Sequence, residues 1–268
     1  MRVFQFWRRA ETTVLIDGAE KTISCFGGSN RSEEEALADG QVRLEAVKRR
    51  IAGEERGKGR DYEADIREEP IQWIGGQDVV TRNRYGAEVL NSTSVVFVDI
   101  DKPPAGVLDI FGVARSREKR KQAILRFLGK RFQKPDLGRM GIRVYETHSG
   151  VRLILGMQMA EPRSRESRDL MRSFHADPIY ADLCARQRCY RARLTPKPYR
   201  IRMKPMRLKY PYEEADREMI GAWVQEYDAR GQGFSSCRLV EVRGRPIDSP
   251  AVRLHDERTR AESGLPLA

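Results

Sequence analysis

Between Leu183 and Tyr212 the chain carries ten bases, four prolines and no acid. Pro196, Pro198, Pro205 and Pro211 each lack an amide hydrogen and crowd the preceding turn. A long helix is therefore excluded here, and the stretch reads as extended segments and turns. Tyr190, Tyr199, Tyr210 and Tyr212 are interleaved with the bases. Elsewhere the charges almost cancel. The 268 residues hold 50 Lys and Arg against 39 acids, and ten of the eleven net positive charges fall in this one window. Basic side chains alternating with tyrosines suit a groove that tracks phosphates and stacks bases, so the expected partner is a polyanion, with nucleic acid or nucleotides first.

Hydrophobic residues make up 40% of the chain, enough for a packed core. No apolar run approaches the ~18 residues of a membrane helix, so no membrane partner is expected. The opening Met1-Arg2-Val3-Phe4-Gln5-Phe6-Trp7-Arg8-Arg9 is interrupted by charge too soon for a signal peptide. Cys25, Cys184, Cys189 and Cys237 form no CxxC pair and no disulfide framework. A cytoplasmic protein is the expectation, and a secreted hydrolase is disfavoured. Phe26-Gly27-Gly28-Ser29-Asn30 lacks the Lys-Ser/Thr of a phosphate loop, and no nucleophile elbow supports acyl transfer.

Along the chain, Asp17-Gly18 between Thr13–Ile16 and Thr22–Phe26 predicts a hairpin. Ser32 and Glu35 open a capping box, with apolar Leu37, Leu44, Val47 and Ile51 behind it and Gly53 as a stop. Residues 54–69 are charged and read as a loop or a ragged helix end. Strands are predicted at Ile71–Ile74, Asp78–Arg82 and Gly86–Leu90, and the clearest buried one at Ser94–Asp101. Ser116–Phe132 reads as a helix. Ile142–Glu146 and Val151–Leu155 form a second hairpin, and Arg165–Phe174 and Asp177–Arg186 are short helices. After the basic segment come a helix over Glu213–Arg230, a strand over Arg238–Val242 and a polar tail. With no repeat and no linker, the expectation is one α+β domain with a mixed or antiparallel sheet. Its parts are an N-terminal αβ lobe over 1–92, a second lobe over 93–245 and a tail over 246–268.

Asp99 and Asp101 stand two apart at the end of the buried strand. The side-chain period of a strand is two, so both carboxylates share one face. Oxygen-rich pairs of this kind hold divalent ions, and an Asp near a turn also serves local amides. Further on come Glu146-Thr147-His148-Ser149-Gly150-Val151-Arg152, then Ala176-Asp177-Pro178, then Arg191-Ala192-Arg193-Leu194-Thr195-Pro196-Lys197-Pro198.

In that order the segments resemble the archaeo-eukaryotic primase superfamily, the primase-polymerases. The motifs are a strand ending in D-x-D, a hairpin with an S-x-H or SG-x-H signature, and a later single acid followed by an Arg-rich segment. The resemblance covers roughly Val95 to Arg202. It departs at the second motif, where Arg152 stands in place of His, and its third acid is Asp177 or Asp182.

The resemblance implies a catalytic sheet like an RNA-recognition motif, and nucleotidyl transfer in DNA replication or repair. Asp99, Asp101 and Asp177 would hold two Mg2+ or Mn2+ ions. His148, Ser149, Arg152, Arg191, Arg193 and Lys197 would bind nucleoside triphosphate. Arg82 and Arg84 at a predicted turn, with Arg200, Arg202 and Lys204, would touch single-stranded nucleic acid or primer-template. A relative that binds without catalysis, and a metal-dependent nuclease, are the alternatives.

Overall fold

The computed structural model describes residues 1–53, 65–104, 116–156 and 161–268. The first hairpin forms where Asp17-Gly18 directs it. Strands β1 (Phe6–Ile16) and β2 (Ala19–Ser29) pair antiparallel with Ile16 opposite Ala19. Both turn residues have positive φ, 52° and 77°, the backbone twist that a two-residue hairpin requires. Helix α1 (Glu33–Ile51) starts at Ser32, whose side chain accepts from the Glu35 amide at 3.2 Å. Only half of the capping box is made, because the Glu35 carboxylate instead accepts from Ser29 Oγ at 2.8 Å.

The buried face of α1 differs from the expected one. It consists of Ala36, Gly40 and Leu44, while Leu37 and Ile51 lie exposed. Small residues win because the hairpin approaches too closely for large ones. A Cβ on Gly27 would lie 2.1 Å from the Ala36 carbonyl oxygen and from the Gly40 nitrogen. Gly27→Ala is therefore expected to overpack this contact and cost about 3 kcal/mol, the upper end of the usual range. Urea unfolding measures it, and an unchanged midpoint would mean that the helix and hairpin separate freely.

Two four-stranded antiparallel sheets carry the rest. One has the order β3-β4-β5-β9, from Glu69–Ile74, Asp78–Arg82, Glu88–Ser92 and Tyr190–Arg193. The other has the order β10-β7-β8-β6, from Cys237–Arg243, Gly141–Thr147, Val151–Gly156 and Val96–Ile100. Helix α2 (Arg117–Arg131) crosses from β6 to β7, and β8 returns into the gap between them, a split β-α-β unit. Phe97, Leu153, Ile154, Ile124 and Leu128 fill one core with Val80, Leu90, Tyr190 and Ala192 of the neighbouring sheet. Strand β9 thus completes, from the second predicted lobe, the sheet begun in the first. Helices α3 (Arg165–Ser173), α4 (Pro178–Gln187) and α5 (Arg217–Gly231) follow the expected positions. The part of the predicted charged loop at 54–64 lies outside the described residues.

The predicted polar tail is corrected. Residues 250–259 form helix α6 (Pro250–Thr259), which buries Ala251, Val252, His255 and Thr259. Its buried face is small and polar, so it gave no hydrophobic period, but Ser249 followed by Pro250 was a start signal. Among the described residues no helix is long and apolar enough to cross a membrane.

Candidate functional site

Strands β6 and β8 pair with Asp99 directly opposite Arg152. Arg152 Nε donates to Asp99 Oδ1 at 2.7 Å and Nη2 donates to Oδ2 at 3.1 Å. Nη1 donates to the Arg193 carbonyl at 2.9 Å. Arg152 is 3% exposed. Burial opposes its charge, but Asp99 outweighs burial and raises its pKa, so the guanidinium stays ionised. Beneath it, His255 Nε2 lies 3.5 Å from Nη1. Burial lowers the His255 pKa and holds the ring neutral. Its Nδ1 stands 3.0 Å from Asp256, which also accepts from Tyr145 Oη at 2.6 Å.

Around this buried pair the other predicted segments converge. The Asp177 amide donates to the Asp99 carbonyl at 2.9 Å. Its Oδ1 caps α4 by accepting from the Ile179 and Tyr180 amides at 2.8 and 3.0 Å. Asp177, not Asp182, is the acid beside the D-x-D; Asp182 faces solvent and pairs with Arg186 at 2.8 Å. Gly150 passes over the end of β6, where a Cβ would lie 2.2 Å from the Ile100 carbonyl oxygen and 3.1 Å from Asp101. His148 Nδ1 lies 3.1 Å from Ser149 Oγ, and Arg200 donates to that hydroxyl at 3.2 Å. Burial, then Arg200 and Arg117, bring the His148 pKa down to about 4, so the ring is neutral near pH 7.

Asp101 reaches solvent, yet its pKa is raised, first by lost hydration and then by Asp99 and Asp177. A carboxyl that holds its proton more tightly in the folded state loses stability as pH rises through the folded pKa. Asp101→Asn is therefore expected to melt above the parent at neutral pH. The gain should disappear below about pH 4, where the unfolded carboxyl is protonated too. Melting curves across pH check this, and a gain that grew towards acid would reverse the sign.

A cationic wall faces the carboxylates. Arg193 makes no hydrogen bond or ion pair through its guanidinium with any described residue, and Lys197 and Arg200 stand on the segment that follows. Burial, then Arg152, brings the Arg193 pKa down to about 10. Arg193 lies where two clefts of about 640 and 500 Å³ meet, both also lined by Asn83 and Tyr85. The larger cleft reaches Asp99, Arg152, Tyr180, Arg84 and Lys209; the smaller holds Lys197 and Tyr199. Tyr85 and Tyr199 are 47% and 65% exposed, so each offers a ring face. Arg84 sits 4.7 Å from the Tyr85 ring centre, and Asn83 Oδ1 holds this turn by accepting from the Tyr85 and Ala87 amides.

Three of the expected ligands have acidic partners in the folded chain. Arg152 is locked to Asp99. Arg191 donates to Glu68 at 2.6 Å and to Gln187 at 3.0 Å. Arg82 is buried against Glu69 at 3.2 Å and donates to the Gly86 carbonyl at 3.1 Å. Each is paired with an acid that folding brings beside it, and Arg152 and Arg191 also line the larger cleft. Arg202 and Lys204 are exposed but line neither cleft. Sequence reasoning passed over Arg117 and His255. Arg117 had no local signal, and His255 was hidden in the supposed tail.

The carboxylates do not suit a pair of divalent ions as folded. Both Asp99 oxygens are taken by Arg152, and one Asp177 oxygen caps a helix. Among the described residues no three His, Cys, Asp or Glu side chains are grouped to hold a metal ion. Searches against protein-family models, curated proteins and solved structures return no match to this chain.

Proposed function

We propose that this chain is a primase-polymerase-like protein of the cytoplasm that binds single-stranded nucleic acid along the two joined clefts. Arg193, Lys197 and Arg200 take the phosphates, and Tyr85 and Tyr199 stack bases. The split β-α-β sheet is then the counterpart of an RNA-recognition motif, with β10 added beyond β7. The observation that carries this reading is Arg193. A cation in a poorly hydrated crevice, with Arg152 and Arg200 near it and no ion pair to a described acid, gains most from a polyanion. The four cysteines are unpaired, which suits a reducing compartment.

Nucleotidyl transfer to a primer from nucleoside triphosphates, with Mg2+ or Mn2+, is the second reading. Its support is the crowding of Asp101 by Asp99 and Asp177, the acids that the resemblance marks as catalytic. It requires Asp99 to leave Arg152.

Fluorescence anisotropy with a labelled single-stranded oligonucleotide tests the first reading. Tyr85→Ala and Tyr199→Ala should each weaken binding by about 1–3 kcal/mol, the worth of one stacked base. Wild-type protein that leaves the oligonucleotide free at low salt would sink the reading. A gel with Mn2+, nucleotides and labelled template separates the rest, because binding alone leaves the strand intact, transfer lengthens it and a nuclease shortens it.

A further inference from the structure

We infer that the Arg152 guanidinium is the resident cation of the strand-end carboxylate site, so that the site engages nucleic acid with no divalent metal. The inference rests on the binding role proposed for the adjoining clefts. Arg152 lies opposite Asp99 in the strand register and covers both of its oxygens, as a bound ion would. A third hydrogen bond, to the Arg193 carbonyl, fixes the guanidinium from the side of the neighbouring sheet. Arg152 is 3% exposed, and the His255 ring lies beneath it.

The local charge balance points the same way. Asp99 and Arg152 cancel. Asp101 and Asp177 then face Arg193, Lys197 and Arg200, with acids weighing more at Asp101 itself and bases prevailing around Arg193. A phosphate meets opposite charge at Arg193, whereas a divalent ion finds both Asp99 oxygens and one Asp177 oxygen already taken. Oxygen ligation of Mg2+ or Mn2+ needs free carboxylate oxygens on one centre, and Asp99 has surrendered its pair to a planar fork that suits it better than a point charge.

Electron paramagnetic resonance of free Mn2+, titrated with the wild-type chain, tests the inference directly. The expected result is an undiminished Mn2+ signal for wild type and for Arg152→Lys, which keeps the positive charge. Arg152→Gln should gain Mn2+ affinity by at least about tenfold, because one charge removed at contact distance shifts a divalent ion by several RT. A second measurement does not depend on any variant folding. Oligonucleotide affinity of wild type, at matched ionic strength, should be the same with EDTA as with Mn2+. Site-bound Mn2+ in wild type that is lost in Asp99→Asn, or binding abolished by EDTA, would overturn the inference. If wild type binds no oligonucleotide in either buffer, the binding role falls instead, and the Mn2+ titration alone decides what Arg152 does.

Discussion

Asp99→Ala is expected to melt on the order of 10 °C below the parent chain. The substitution removes both acceptors from a guanidinium that is 3% exposed and that has the Arg193 carbonyl as its remaining close acceptor. Breaking a buried ion pair by deleting one partner costs about 3–5 kcal/mol, because the survivor stays desolvated and uncompensated. In a chain of this size each kcal/mol corresponds to roughly 2–4 °C in melting temperature. A simple pair of metal-binding carboxylates behaves in the opposite way, since deleting one relieves repulsion. Replacing both members, as Asp99→Ala with Arg152→Met, should recover much of the loss, and the cycle isolates the coupling. Calorimetry on the four proteins measures it. A melting temperature within a degree or two of wild type for Asp99→Ala would show that the pair does not hold the sheet.

The combined change Arg193→Ala, Lys197→Ala, Arg200→Ala should weaken single-strand binding about a thousandfold. That corresponds to three charge-assisted contacts of about 1.5 kcal/mol each. The salt dependence should flatten as well, by about two log units of affinity per log unit of salt, from roughly 0.7 for each phosphate released. Stability should hold, since Arg193 has no described ionic partner to lose and has Arg152 beside it. Arg191→Ala is the matched contrast. It stands two residues away on the same strand, but its guanidinium is spent on Glu68 and Gln187. Removing it should lower the melting temperature and leave the salt dependence as it was. If Arg191→Ala flattened that dependence and the triple change did not, the phosphates would lie at the Glu68 end of the larger cleft, which Arg191 also lines.

Arg191 and Arg193 also show where the sequence stops being legible. Both read as phosphate ligands because they are basic, adjacent and set among prolines. Which one is free depends on the acid that long-range pairing brings opposite, and Glu68 lies on a segment 123 residues away. Local signals fared better. Asp-Gly placed the first hairpin, Ser32 capped α1, and the apolar run into D-x-D placed β6. The sequence singled out the D-x-D, the Ser149-Gly150 hairpin, Asp177 and the Arg193–Lys197 segment, and in the fold they lie around one place. It did not disclose that Arg152 faces Asp99, because that contact exists only once β8 has entered between β6 and β7. Helix α6 escaped for a different reason, since a helix whose buried residues are Ala251, Val252, His255 and Thr259 carries no long apolar stripe to detect.

The pairing of β5 with β9 sets Leu90 opposite Ala192. This joins segments about a hundred residues apart, and closing so long a loop delays such a contact relative to local ones. β6, α2, β7 and β8 can assemble from neighbouring chain, which gives the Asp99–Arg152 fork an early origin. The cationic wall arrives only with β9. The fork is therefore expected to form before its third hydrogen bond and before Arg193 is in place. On the binding role proposed above, competence is expected late, and a pulse of oligonucleotide during refolding should report on β9 docking and not on formation of the sheet that carries the acids.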